Sequence, residues 1–358
     1  MTTATDSPRS LSRRKKILFV LVLNTLVLLL FVIASEFALR RKGLTPWINY
    51  PTNVVSMSAP TYYRNHPTLG YITEPGEFRF TLTGGRTFKT TQLINGLRIT
   101  HPLNTYPGEG KKEIWIFGCS QTFGWALNDE ETFPWLVQEK FTTYEVVNFG
   151  MGAYSNVQSL IQLREALESG KKPAVVILAY GSFHDERNTL TPAWLKIRAS
   201  FGEWKVTLPY MSWSRGKPEL LYQPLVYHAI PLARYSALAN FLDDTYDRAL
   251  ESSYHSHEVS KAIIEEVFNI CKANGIVFVI AGISASPATA EMLDYCRSKG
   301  MLAVDMSVDM TIKENTYLPY DGHPSAIANR QFAQKLNSFL CSKVMNEPPC
   351  PQNKVPGS

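Results

Sequence analysis

The chain has little charge for its length. Asp, Glu, Lys and Arg make up 19% of its 358 residues, and the net charge is only +5. Much of that excess sits in Arg9, Arg13, Arg14, Lys15 and Lys16, ahead of the folded part. A nucleic-acid reader needs a basic face on its folded domain, so the distribution argues against that class. Cysteine is scarce, with five in all, and no Cys/His spacing matches a zinc site. Five cannot all pair. Cys341 and Cys350 are near enough in sequence to clip together in an oxidising compartment. Cys271 and Cys296 fall on helical stretches and read as core residues. There is no repeat with a period of about 20–50 residues and no low-complexity block.

Long hydrophobic runs are also absent, with one exception. Residues 17–39 are almost unbroken Leu, Val, Ile, Phe and Ala, interrupted by Asn24 and Glu36. As a helix this run crosses a hydrocarbon layer of about 30 Å. It exceeds the apolar core of a cleaved signal peptide, about 7–15 residues, so an uncleaved anchor is the expectation. Five basic residues precede the run, and Arg40, Arg41 and Lys42 follow it. That bias places residues 1–16 in the cytoplasm and the bulk of the chain in the periplasm or outside the cell.

Residues 40–104 begin as a Pro/Ser/Asn-containing linker. They continue as short Tyr/Phe/Thr runs broken by Gly70, Pro75-Gly76 and Gly84-Gly85, which read as a small β-hairpin region. From 105 to 345 the pattern alternates. Apolar runs at 113–118, 144–149, 174–180, 275–283 and 302–306 read as strands covered on both faces. Helical stretches lie between and after them at 155–169, 258–274, 286–299 and 324–342. Ser155 caps the first, and Ser286-Pro287 opens the third. This βα alternation implies an α/β fold with a parallel sheet between helical layers. Residues 189–254 interrupt it with Trp194, Trp204, Trp213 and several tyrosines, then a helix near 232–250. Such an insertion builds a lid, a binding wall or an aromatic satellite core. Residues 346–358 form a tail.

In an open α/β sheet, ligands bind beyond the carboxyl ends of the strands. Four polar segments lie there: 118–124, 148–154, 180–185 and 321–323. Ser120 ends the Gly-x-Ser turn after the first strand and offers a hydroxyl nucleophile. Thr122 stands where the second glycine of a Gly-x-Ser-x-Gly elbow would be, so the pattern is not that of the α/β-hydrolases. His323 is the natural base, and Asp321, two residues earlier, is placed to orient its ring. Backbone amides of the Ser120 turn and of the glycine-rich 150–153 turn suit a developing oxyanion, and His184 adds a side-chain donor. Arg187 and Asn188 line the site or tie down the loop. His228, His255 and His257 read as exposed.

These blocks together resemble the SGNH (GDSL-like) hydrolase superfamily, in the layout of its membrane-anchored bacterial members. The resemblance spans about residues 61–342. It is carried by Asn95-Gly96-Leu97-Arg98, Gly118-Cys119-Ser120-Gln121-Thr122-Phe123-Gly124, Glu131-Thr132-Phe133-Pro134, Asn148-Phe149-Gly150 through Tyr154, and Asp321-Gly322-His323-Pro324. It implies a three-layer α/β/α flavodoxin-like fold, ester chemistry at serine, and no metal or cofactor. Two positions depart from the family pattern. Cys119 replaces the aspartate before the serine. His184-Asp185 stands at the usual Asn-Asp, whose asparagine donates to the oxyanion. The family's oxyanion glycine maps to Gly152 or Ala153.

Two functions of different class follow. One is a membrane-anchored esterase or O-acyltransferase acting on acyl esters, above all acetyl, of envelope polysaccharide, other glycan or lipid. Its catalytic residues are Ser120, His323 and Asp321, with the amides of Ser120 and Gly152 and the side chain of His184 at the oxyanion. The other is a catalytically silent relative serving a membrane protein complex.

Overall fold

The computed structural model describes residues 12–49, 53–104, 110–201 and 205–345. In chain order it contains α1 (Arg13–Arg41), β1 (Val54–Met57), β2 (Tyr63–His66), β3 (Gly70–Thr73), β4 (Gly76–Leu82), β5 (Thr87–Gln92), β6 (Lys112–Phe117), α2 (Ser120–Phe123), α3 (Phe133–Lys140), β7 (Tyr144–Asn148), α4 (Asn156–Glu168) and β8 (Val175–Tyr180). There follow α5 (His184–Thr189), α6 (Pro192–Ala199), β9 (Thr207–Ser214), β10 (Lys217–Pro224), α7 (Ala237–Glu251), α8 (Ser256–Ala273), β11 (Val277–Gly282), α9 (Pro287–Ser298), β12 (Leu302–Asp305), β13 (Thr316–Tyr317), β14 (Asp321–Pro324) and α10 (Ala326–Lys343). The chain divides into two compact units. One holds residues up to Tyr50 and Tyr227–Ala249, the other Pro51–Val226 and Leu250 onward.

The larger unit is built on a five-stranded parallel sheet of order β12-β11-β8-β6-β7. Successive side chains of a strand point to opposite faces, and both faces are covered. In β6, Ile114 and Ile116 pack with Phe133 and Val137 of α3 and Phe332, Leu336 and Leu340 of α10. Trp115 and Phe117 pack the other way, with α4, α8 and α9 through Leu160, Ile263, Val267 and Met292. This is the three-layer α/β/α arrangement that the alternation predicts. The chain leaves β6 for β7 on one side and then crosses to β8 on the other. The carboxyl end of β6 therefore lies at a topological switch point, where open sheets bind ligands.

The region before the sheet forms two antiparallel hairpins, β2–β3 and β4–β5, with β1 on β4. Its aromatic cluster (Tyr62, Phe78, Phe80, Phe88) extends to Phe123 and Ala126 beside the Ser120 turn. Arg98 bridges through its backbone to Gln92 on one side and Asn148 on the other, joining this region to the edge strand β7.

Three readings of the sequence need correction. The last helix begins at Ala326, not Pro324. Asp321–Pro324 is a short strand paired with Thr316–Tyr317, and Ser325 Oγ caps the helix by accepting from Ile327 and Ala328. Helix α3 went unread, although Thr132 caps it and Pro134 opens it. The interruption after β8 contains α5, α6 and the hairpin β9–β10, and its last helix, α7, begins at Ala237. Trp204, Cys350 and residues 1–11 and 346–358 lie outside the described residues, so the Cys341–Cys350 clip does too. Cys119, Cys271 and Cys296 are free and buried.

The smaller unit joins α1 to residues 227–249.

Candidate active site

Ser120 is the first residue of α2, directly after β6 and Gly118-Cys119. Cys119 adopts extended backbone and is fully buried in the apolar layer with Ile116 and Phe133. It shapes the turn and is remote from solvent chemistry. Ser120 Oγ lies 2.9 Å from His323 Nε2, and His323 Nδ1 lies 2.7 Å from Asp321 Oδ1. The three residues named from the sequence are thus brought into one hydrogen-bond chain across 203 positions. The His323 side chain is 33% exposed and that of Asp321 only 2%. His323 thus meets solvent while Asp321 does not.

Asp321 is held from four directions. Oδ1 accepts from His323 N and Nδ1, and Oδ2 accepts from Trp125 Nε1 at 3.1 Å and from Asn53 Nδ2. Burial by itself would raise this carboxyl. The hydrogen bond and charge of His323, its amide and the Trp125 indole outweigh burial and leave the group below its ordinary value. Trp125 is set in place by Phe80 and Phe88, each 5.3 Å away between ring centroids. The hairpin region therefore orients the aspartate. The sequence reading missed Asn53 and Trp125.

Arg98 supports the Ser120 turn from below. All five guanidinium N–H groups are used. Nε donates to Asp129, Nη1 to the carbonyls of Phe123 and Gly124, and Nη2 to those of Lys89 and Leu127, over 2.6–3.1 Å. The carbonyls of Phe123 and Gly124 belong to the open end of α2, where a cation is favoured. Asn148 Nδ2 takes the next carbonyl, that of Thr122, at 3.2 Å. Gly124, at φ 86°, must be glycine: a Cβ there would collide with Thr132 Cγ2. Arg98 and Asp129 are both buried. Exchanging Arg98 for Met leaves Asp129 unpaired and three carbonyls of the turn without their donor. The expected cost is about 3–5 kcal/mol of stability, together with lower turnover per folded molecule, read from a thermal melt and active-site-titrated rates. A melt unchanged within about 2 °C would contradict this role.

Of the groups expected at an oxyanion, the Ser120 amide and the loop that carries Gly152 lie at the same turn. The amide of Ser120 opens α2 and has no intrahelical partner. The 148–154 loop packs on α2: Met151 N donates to Gly118 O, and Gly150 is in close approach to Thr122 and Phe123. Tyr71 Oη holds the Gly152 carbonyl at 2.6 Å. His184 is fully buried, and its contacts run to Gly181, Phe183 and Tyr180 rather than to the triad. Its Nδ1 accepts the Gly181 amide at 3.0 Å. Burial, then the nearby Arg187 charge, hold its pKa well below the usual value, so the ring is neutral and Nε2 carries the proton. That N–H has no partner among the described residues.

The residues around His184 are structural. Asp185 does not pair with it. The Asp185 carboxylate accepts from Tyr180 Oη, Ser260 Oγ and His257 Nδ1, at 2.7, 2.6 and 2.8 Å. His257 is therefore engaged rather than exposed, whereas His228 and His255 are exposed. Asn188 Oδ1 receives the amides of Asn156 and Val157 and so caps α4. Arg187 stacks between Phe183 and Trp194, 4.6 Å from each ring centroid. Among the described residues no group of three His, Cys, Asp or Glu side chains is arranged to hold a metal ion.

No protein-family model and no curated protein matches the sequence. Solved structures do match. A G-D-S-L family protein from Desulfitobacterium hafniense shares 14% identity over 64% of this chain and 100% of its own, with a TM-score of 0.36. A member of the lipolytic protein G-D-S-L family from Veillonella parvula shares 11% over 66% and 100%, with a TM-score of 0.37. A catalytic mutant of an acetylxylan esterase from Geobacillus stearothermophilus shares 14% over 65% and 95%, with a TM-score of 0.36. Likeness at this level says nothing of chemistry, and the account of the site rests on the geometry of Ser120, His323 and Asp321. In structure the chain is similar to G-D-S-L and SGNH-type hydrolases.

Proposed function

We propose that the chain is a membrane-anchored serine esterase or O-acyltransferase of SGNH type, acting outside the cytoplasm on acyl esters, above all acetyl, of envelope glycans or lipids. The observation that carries this reading is the Ser120–His323–Asp321 chain at 2.9 and 2.7 Å. Ser120 Oγ attacks the acyl carbonyl carbon while His323 Nε2 takes the hydroxyl proton. Asp321 fixes the ring so that Nε2 faces the serine and stabilises the imidazolium. The oxyanion is met by the amides of Ser120 and Gly152; His184, buried away from the triad, is left out of this role. His323 returns the proton to the departing alkoxide, leaving an acyl-serine. Water then completes an esterase cycle; a sugar hydroxyl completes a transfer.

The anchor reading is supported by α1, which is long and apolar enough to cross a membrane. Arg13, Arg14, Lys15 and Lys16 at its start favour a cytoplasmic N-terminus. Residues near its end bond to residues 235–238, contacts that cleavage would discard. The intact hydrogen-bond chain weighs against a silent scaffold in a membrane complex.

The test is p-nitrophenyl acetate turnover by the full chain in lipid nanodiscs, with and without added polysaccharide. Nitrophenol release with free acetate indicates an esterase. Release that rises with the polysaccharide and leaves acetyl on it indicates a transferase. Folded protein that releases nothing in either condition contradicts the reading.

A further inference from the structure

Glu36 is the polar exception near the end of the apolar helix, and it has a partner. Its carboxylate accepts from Ser236 Oγ at 2.7 Å and from the amides of Ala237 and Leu238 at 3.0 and 2.8 Å. It thus caps the N-terminus of α7, the task a local Asp or Ser usually performs. Arg40 pairs with Glu36 and donates to the Tyr235 carbonyl at 3.2 Å. Beyond α1, Trp47 N donates to Ala233 O at 2.8 Å, and Asn240 donates to Thr45 O at 3.0 Å. The Arg234 guanidinium lies 3.8 Å from the Trp47 ring centroid. Residues 233–240 are thereby fastened to residues 36–47 at several points.

These contacts set a depth. From Ile17, α1 rises about 1.5 Å per residue, so a hydrocarbon layer of about 30 Å ends close to Glu36. Whatever touches Glu36 and Arg40 shares their level. At that level Tyr235 is 78% and Leu232 66% exposed, and Ile48 is exposed as well. Exposed Arg41, Lys42 and Arg234 stand beside them. Between these lies a cleft of about 400 Å³, lined by Trp47, Tyr227, His228, Arg234 and Tyr235 among others. Aromatic and aliphatic side chains with cations among them are the composition that settles in a headgroup layer. The acidic side chains nearby are engaged: Asp243 and Asp247 both accept from Tyr227 Oη at 2.6 Å.

We propose that residues 228–240, with Trp47 and Ile48, form a seat in the phospholipid headgroup layer of the bilayer that α1 crosses, with Tyr235 and Leu232 inserted and the Arg234 cleft receiving a headgroup phosphate. The proposal rests on the anchor reading above. It assigns a lipid-binding role to part of what looks, in sequence, like an insertion in the catalytic domain.

The test is site-directed spin labelling of the full chain in vesicles of phosphatidylethanolamine and phosphatidylglycerol. The free native cysteines among the described residues are buried, so Leu28→Cys, Leu232→Cys and Tyr235→Cys label ahead of them. Relaxation by oxygen is compared with relaxation by a water-soluble nickel chelate. The seat predicts that the labels at 232 and 235 respond more to oxygen than to nickel, at a depth shallower than that at 28. A label at 28 that is deep while that at 235 is nickel-accessible overturns the seat and leaves the anchor standing. A nickel-accessible label at 28 overturns both.

Discussion

Alanine at position 120 is expected to abolish ester turnover and leave the protein folded. Ser120 Oγ stands at the end of the His323–Asp321 chain, and among the described residues its side-chain partner is His323 Nε2. The change removes one partly exposed hydroxyl from the first residue of α2, which costs little packing. Without the oxygen there is no acyl-serine, and the oxyanion donors act on water attack alone. In serine hydrolases with these three groups, loss of the nucleophile lowers kcat on the order of 10⁶-fold. The check is kcat on p-nitrophenyl acetate beside a thermal melt. Retention of more than about one-hundredth of the rate by a folded variant would remove Ser120 from the mechanism.

Asp321→Asn is expected to lower kcat about 10⁴-fold while the backbone stays in place. Oδ2 faces two donors, Trp125 Nε1 and Asn53 Nδ2, and Oδ1 faces two more on His323. An asparagine must turn its NH₂ toward one of these pairs. Toward His323 it forces the wrong tautomer; toward Trp125 it sets donor against donor. The same variant alters acid stability. The Asp321 pKa is lowered in the folded protein, so the unfolded chain binds its proton more readily. The stability it contributes is complete above the unfolded value of about 3.9 and is lost as pH falls through the lower folded value. Melting temperature should therefore fall less steeply below about pH 4 in Asp321→Asn than in the parent. Equal acid slopes would show that the four hydrogen bonds do not favour the ionised carboxyl.

The sheet and the triad were legible in the sequence for local reasons. Ile114–Phe117 and Val175–Tyr180 are apolar without a break because both faces of a central parallel strand are buried. Ser155 announced α4 by its cap. Ser120 stood at a strand end, and Asp321-x-His323 placed acid and base within one short reach. What escaped was set by partners far along the chain. Trp125 and Asn53 serve Asp321 across 196 and 268 positions. Glu36 caps a helix some 200 positions away. Nothing in the local pattern distinguishes these residues from ordinary surface or core residues. Arg98 lay within a block that carried the family resemblance, yet its role beneath α2 emerges only when the hairpin region is folded against the turn. His184 shows the converse. Its place in the motif does not tell that the imidazole is buried against Gly181, Phe183 and Tyr180, or that its neighbour Asp185 serves Tyr180, His257 and Ser260.

The most direct test of the account is the reaction of the full-length protein with a fluorophosphonate, followed by peptide mass analysis. This probe requires a serine hydroxyl activated by a base. The geometry at 2.9 Å between Ser120 Oγ and His323 Nε2 predicts a single phosphonyl adduct on Ser120, lost in the Ser120→Ala and His323→Ala variants. An unmodified Ser120 in folded protein, or an adduct on another serine, would contradict it.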